Sequence, residues 1–419
     1  MIRVGQYYSV RLISCLAMLM SVSLLAAPAA EHPFGVALAT PSPLVVPSQS
    51  IDPRQALAAS EDATQRISSL KEENGPYNAA LAPLLTQEAS RALELGDTAS
   101  ALTLYQQALY NVRVNGGLYG EAQLPILQSI MGLLRLSGDV TALDNRVDYF
   151  YRLMGSGQPP WNTPKIQGAL YYLAWGQEKL SHQPWAGKER EIIELVETGE
   201  RLIDSVCKNP DFAADWCGKA TLRHLASLYL IQWRVTPTTQ ITPSNRYKEM
   251  PDWRNTGDAE RSPILDRLQM MRRSLKTKGT AYLKDALLVA NETQTLKLAL
   301  ADWYWFFGDV TQAKTAYADL YEEEPQLFKM PTPLPIAPTL TRDPGLAKDS
   351  APVNFSAQVS AKGTPQNVTA SYVGETIEEG KGWESRGVRY FRTLRFRPAM
   401  DDNGEFIAAP VELLLTVMR

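Results

Sequence analysis

Cysteine and histidine are nearly absent, with three of each in 419 residues. A zinc, haem or iron–sulfur centre would have to be assembled from almost nothing, so no metal or cofactor is expected. Missing too is any surplus of positive charge: 42 basic side chains face 45 acidic ones, for a net charge of −3. Proteins that hold nucleic acid by bulk charge carry a basic excess, which removes that partner class. The chain also lacks a phosphate-cradling Gly-rich loop, a nucleophile elbow and a His-Glu-x-x-His pair. Ser68 and Lys71 match the first element of a penicillin-recognising site without its companions. His182 and His224 have no partner at suggestive spacing, and Glu322-Glu323-Glu324 reads as a solvated run at a helix end. The expectation is a protein that is not an enzyme, with no small-molecule substrate.

The longest apolar run near the start, Leu12 to Ala27, is 16 residues, short of the roughly 20 that cross a bilayer. Arg3 and Arg11 precede it and Ala27-Pro28-Ala29 follows it, the order of a cleaved secretory signal peptide over residues 1–29. An uncleaved anchor is the alternative. Leu12-Ile13-Ser14-Cys15 imitates a lipid-attachment box, but the apolar run follows Cys15 instead of preceding it. A periplasmic location is therefore expected, with an inner-membrane anchor as the second reading. Export would leave Cys207 and Cys217 as the only thiols, and an oxidising compartment favours their pairing. Two buried free thiols are the competing possibility; the spacing is too wide for a C-x-x-C redox pair.

What the chain does have is 45% hydrophobic residues, enough for real cores, in an uneven arrangement. Residues 30–54 are rich in Pro, Ala and Ser and read as a tether. Residues 55–325 carry apolar side chains at three- and four-residue spacing, the pattern of packed amphipathic helices, among them Ile166–Leu180, Lys188–Val206 and Lys219–Trp233. Residues 326–351 hold a second cluster of prolines, a stiff spacer separating two bodies. In residues 352–419 the apolar period falls to two. Two features stand out as candidate partner contacts. Val235 to Ser262 has no apolar period and offers Tyr247, Met250 and Trp253, either as a contact loop or as an insertion without structure. The run Trp303-Tyr304-Trp305-Phe306-Phe307 goes all the way round a helix, so Trp303 and Trp305 belong either to a core or to an exposed patch.

The helical part echoes itself. Gly96-Asp97 is followed by Ala101, Tyr105 and Ala108; Gly308-Asp309 is followed by Ala313 and Tyr317 at the same offsets. Gly-Asp ends one helix and caps the next, the Ala allows close approach, and the Tyr fills the space one turn on. A third copy surrounds Gly138-Asp139, with Leu143 and Val147 in those places. These stretches resemble tetratricopeptide repeats, with Pro325 where that repeat closes. The resemblance implies a mainly α, helical-repeat solenoid.

In the last part, Val353, Phe355, Ala357 and Val359 alternate up to Lys362-Gly363, and Val368, Ala370 and Tyr372 alternate after it, which predicts a hairpin. An amphipathic helix follows over 375–392, then a turn ending at Gly404 and a strand through Val411, Leu413, Leu415 and Val417. The order β-β-α-β gives a small α+β domain, a three-stranded antiparallel sheet with one helix. That order, together with Gly363 before Gln366-Asn367-Val368, the run Arg395-Phe396-Arg397-Pro398-Ala399 and Asn403-Gly404, resembles the C-terminal domain of the TonB family of periplasmic energy transducers. The resemblance implies docking on outer-membrane receptors, a receptor segment adding as a strand to the sheet edge. Lys348-Asp349-Ser350-Ala351-Pro352 stands where that family carries a Tyr-Pro or Gln-Pro pair. A chain whose N-terminal segment is cleaved has no membrane helix through which to receive force. The expected role is thus a periplasmic adaptor working by protein–protein contact, accessory to TonB-dependent transport; an anchored transducer and an envelope hydrolase with an unrecognised site are the alternatives. Arg386, Arg389 and Arg392 share a helix face that is either solvated or turned to an acidic partner or lipid headgroup.

Overall fold

The computed structural model describes residues 53–182, 188–209, 212, 214–234, 263–291, 293–335, 340–341, 350–374 and 377–418. The apolar segment 12–27, the tether and the 235–262 loop with Tyr247, Met250 and Trp253 lie outside these residues, as does the His182 side chain. Eleven α-helices come first among the described residues: α1 (Pro53–Asn74), α2 (Leu81–Glu94), α3 (Thr98–Gly116), α4 (Leu124–Ser137), α5 (Val140–Leu153), α6 (Thr163–His182), α7 (Glu189–Cys207), α8 (Ala214–Arg234), α9 (Pro263–Val289), α10 (Gln294–Phe306) and α11 (Val310–Glu323). Each packs on its sequence neighbours, and the expectation of a mainly helical body holds.

One turn is built three times. Gly96, Gly138 and Gly308 take φ of +81°, +69° and +77°, which only glycine adopts without cost. The N–H of the following Asp then reaches back to Ala92, Leu134 and Tyr304 carbonyls at 2.9, 3.1 and 2.8 Å, closing the ends of α2, α4 and α10. Asp97 and Asp139 accept from Ser100 and Ala142 N–H groups at 3.0 Å and so start α3 and α5. Asp309 instead pairs with Lys276 Nζ at 3.1 Å. Ala101, Leu143 and Ala313 are buried at one offset, and Tyr105, Val147 and Tyr317 at the next. In two copies the Tyr hydroxyl finds a polar group six residues before the Gly: Tyr105 with Ser90 Oγ at 2.9 Å, and Tyr317 donating to Asp302 Oδ1 at 2.7 Å.

Three buried clusters lie in the helical body, one under α1–α5 around Leu127 and Ile130, one under α6–α10 around Ile192, Leu225 and Trp303, and one between α10 and α11 around Trp305 and Tyr317 that reaches Leu334 and Met400. On α7 the buried Ile192, Ile193, Val196, Ile203 and Val206 recur at helical spacing and leave the Glu-rich face outside. Cys207 and Cys217 form a disulfide with Cα atoms 4.8 Å apart, tying the end of α7 to the start of α8. No helix among the described residues is long and apolar enough to cross a membrane.

The C-terminal module contains β3 (Ser350–Val359), β4 (Pro365–Tyr372), α12 (Ile377–Phe391) and β8 (Ala409–Met418), in the expected order. β3 alternates buried and exposed side chains along its length. The expected three-stranded sheet is corrected: it has four strands, because Leu340–Thr341 (β2) from the proline-rich stretch pairs with Thr416 and Val417 to give the order β2-β8-β3-β4. A second correction concerns the spacer itself. Thr332–Pro333 (β1) pairs with Phe396–Arg397 (β5), and Phe328 and Leu334 are buried, so the first part of 326–351 is packed between the two bodies and cannot hold them apart. Two further short strands, Ala399–Met400 (β6) and Phe406–Ile407 (β7), complete the module.

Candidate interaction site

The helical body and the C-terminal module meet along a seam made of α10, α11, β1 and β5. Trp305 Nε1 donates to the Phe396 carbonyl at 2.8 Å, Leu334 N–H to the Arg395 carbonyl at 2.8 Å, and Phe396 N–H to the Gly363 carbonyl at 2.9 Å. Gly363 has φ +70°, and a Cβ there would sit 2.1 Å from the Phe396 oxygen. Lower in the seam Arg397, 3% exposed, lies against Asp302, 0% exposed, with Nε 3.5 Å from Oδ1. This is an ion pair too long for a good hydrogen bond; the Tyr317 hydroxyl supplies the short contact to Asp302. Burial, and then the Asp302 charge, push the Tyr317 phenol well above its ordinary value. Arg397 also stacks over Phe328 at 5.6 Å. On the far side Tyr321 donates to the Asp401 carbonyl at 2.8 Å, beside the Gly404 turn, and the Trp305 ring lies 5.4 Å from Phe406.

Several residues singled out in the sequence therefore converge here and serve attachment of the module: Trp305, Ala313 and Tyr317 from one side, Gly363, Phe396 and Gly404 from the other. Gly308 and Asp309 belong instead to the helix turn, Asp309 facing Lys276. Trp303 and Trp305 are corrected as candidate partner contacts, being 0% and 5% exposed. Trp303 packs against Tyr229 and Phe307 and donates to the Lys276 carbonyl, so the aromatic run is shared between two cores. Asn367 sits at φ +51° beside the irregularity where β3 and β4 slip register, and Val368 next to it is buried. In the sequence Arg397 stands out only as a member of the Arg395–Ala399 run, and Asp302 and Phe328 not at all, because nothing adjacent in sequence shows that these residues are buried together. No protein-family model and no curated protein matches the chain.

Outside the seam the module presents three surfaces. β4 is one sheet edge, and the side of β8 away from β3 is covered by β2 only at Thr416 and Val417, leaving Ala409–Leu415 without a strand partner on that side among the described residues. The sheet face away from α12 carries Asn354, Ser356, Thr369, Ser371 and Glu412 around a 520 Å³ depression, with Leu414 57% exposed. The third surface is α12, where Arg389 and Arg392 are exposed and Arg386 half-buried.

The helical body offers two further clusters. Lys179 is gripped by Asp144 at 2.9 Å and Glu191 at 3.0 Å, beside Tyr172 and Trp175. Burial acts to lower its ammonium, but the hydrogen bonds and charges of Asp144 and Glu191 outweigh it and hold the pKa above the ordinary value. A lysine kept charged in this way braces α5, α6 and α7, and the 40 Å³ beside it holds water at most. At the end of α3, Tyr110 lines a 380 Å³ groove with Lys71, Gln106 and Gln107, its ring 5.7 Å from Tyr77. Ser68 and Lys71 are exposed on α1, while His224 is wholly buried against Gly199 and Tyr282.

Proposed function

We propose that the chain is an envelope adaptor of the periplasm, a tetratricopeptide-like repeat body carrying a TonB-like C-terminal module, and that it works by protein–protein contact with outer-membrane receptors or other TonB-system components. The observation that carries this reading is the outer edge of β8, which before Thr416 has no strand partner on that side among the described residues, on a module held firmly to the repeats. Strand addition needs exposed main-chain donors and acceptors, not particular side chains, and Ala409–Leu415 offers them. The thrice-built Gly-Asp turn supports the repeat reading, and the disulfide agrees with an oxidising compartment. A Pro-containing edge, with Pro410 in β8, limits unwanted pairing.

Photo-crosslinking in cells from probes at Leu414 on the module and at Tyr119, 78% exposed on the helical body, tests the proposal. Different envelope proteins captured at the two positions are expected. Capture of no protein at Leu414, or one identical set at both, refutes the two-handed adaptor. Mass measurement of the N-terminus separates it from an anchored transducer: a chain starting near Ala30 belongs to the adaptor, and retention of residues 1–29 to the transducer.

A further inference from the structure

We infer that the outward face of α12, continued to Arg395, docks on an anionic phospholipid surface. Four guanidinium groups crowd this stretch: Arg386 half-buried, Arg389, Arg392 and Arg395 exposed. None has a carboxylate within ion-pair distance among the described residues. The other acids of α12, Glu378 and Glu379, stand in its first turn, so the positive stretch is its C-terminal half and the residues after it. There Glu384 is the single acid between residues 382 and 400, and it is committed to the Tyr372 N–H at 2.8 Å. In a chain of net charge −3 this is a local field, so attraction to an anionic surface orients the molecule instead of merely collecting it.

Two of the guanidinium groups are braced. Arg386 Cζ lies 5.5 Å from the Trp383 ring centroid and Arg389 Cζ 5.3 Å from that of Tyr390. Stacking on a ring fixes the guanidinium plane and leaves its N–H edges to grip phosphate oxygens in pairs. The shape selects between anionic partners. α12 rests on the sheet through Val388 and Phe391, while Arg389 and, just beyond the helix, Arg392 and Arg395 are exposed. A row of exposed cations beside half-exposed Trp383 and Tyr390 suits a planar interface, where such aromatics sit at headgroup level. An acidic extended peptide would need a groove or a strand edge beside the charges.

The test is co-sedimentation of the mature full chain with vesicles of phosphatidylcholine alone and of phosphatidylcholine and phosphatidylglycerol in equal amounts, at low and high salt. Binding is expected only to the anionic vesicles, and to be lost at high salt. At low salt each Arg near such a surface is worth about fivefold, so Arg389→Gln with Arg392→Gln lowers the partition about 25-fold. Arg273→Gln with Lys284→Gln on α9 removes the same charge from exposed positions elsewhere and should leave binding intact; circular dichroism checks that each variant is folded. Equal binding to both vesicles, equal loss in the two variant pairs, or no binding to anionic vesicles while poly-glutamate binds and the Arg389/Arg392 variant loses it, overturns the lipid assignment, the last in favour of an acidic protein.

Discussion

Gly363→Ala probes the seam at its tightest point. The added methyl would lie 2.1 Å from the Phe396 carbonyl oxygen and 2.7 Å from Trp305 Nε1, and both are fixed, since that nitrogen donates to that oxygen at 2.8 Å. Neither can yield like the end of a flexible side chain, so the hairpin turn has to move away from β5. Holding an alanine at φ +70° costs roughly 1–2 kcal/mol. Loosening the buried tryptophan bond adds about 1–3 kcal/mol. Gly308 supplies the internal control: its φ is +77°, yet a Cβ there meets nothing within 4 Å. Gly308→Ala should therefore cost only the backbone share, roughly 1–2 kcal/mol. Urea unfolding followed by tryptophan fluorescence measures both. Gly363→Ala is expected to lose about 2–5 kcal/mol, clearly more than the control. Equal losses at the two glycines would refute the close approach of the hairpin turn to β5 on which the seam depends.

Arg397→Met leaves Asp302 buried without its cation and is expected to cost about 3 kcal/mol; adding Asp302→Asn should recover part of that in a double-mutant cycle read by the same unfolding assay. His224 is held down to about 4, mainly by burial, with Glu200 pulling up and Lys278 pulling down. Above pH 6.5 the ring is neutral folded or unfolded; between 6.5 and about 4 only the unfolded chain takes the proton, so stability should fall on acidification by roughly 3 kcal/mol in all. The urea midpoint at pH 7 and pH 5 shows this, and His224→Leu should flatten it. Reduction of Cys207–Cys217, or its replacement by a pair of alanines, should lower stability by about 2–3 kcal/mol through the short loop it closes, seen as a shift in urea midpoint with and without reductant.

Much of the fold was legible because the informative residues act locally. Gly-Asp fixes a left-handed turn and a cap within six residues, so the places where α2, α4 and α10 stop could be read directly. Alternation in Val353, Phe355, Ala357 and Val359 placed the hairpin, and an isolated cysteine pair in a chain expected to be exported indicated the disulfide. The interaction site was legible only in fragments. Gly363, Phe396 and Tyr317 drew notice as words of separate motifs, while the hydrogen bonds of Phe396 with Gly363 and Trp305 span about 30 and 90 residues of sequence. The prolines of 326–351 pointed to a spacer because proline blocks helix and central strand; nothing local reveals that Pro333 pairs opposite Phe396 or that Leu340 and Thr341 extend the sheet.

By itself the sequence determined the helical body, its repeated turn, the small mixed module and the shortage of metal-binding and catalytic residue types. Those properties follow from periodicity, turn chemistry and composition, which neighbouring residues settle among themselves. Only the tertiary structure decided that the two parts are joined, that Trp303 and Trp305 are core and not contact surface, and that Arg397 is sheltered by Asp302 while Arg389, Arg392 and Arg395 stay open to solvent. All of these carry the same kinds of side chain in sequence. Their separation into buried and exposed depends on which distant group arrives beside them, and a buried charge is tolerated only where an opposite one does.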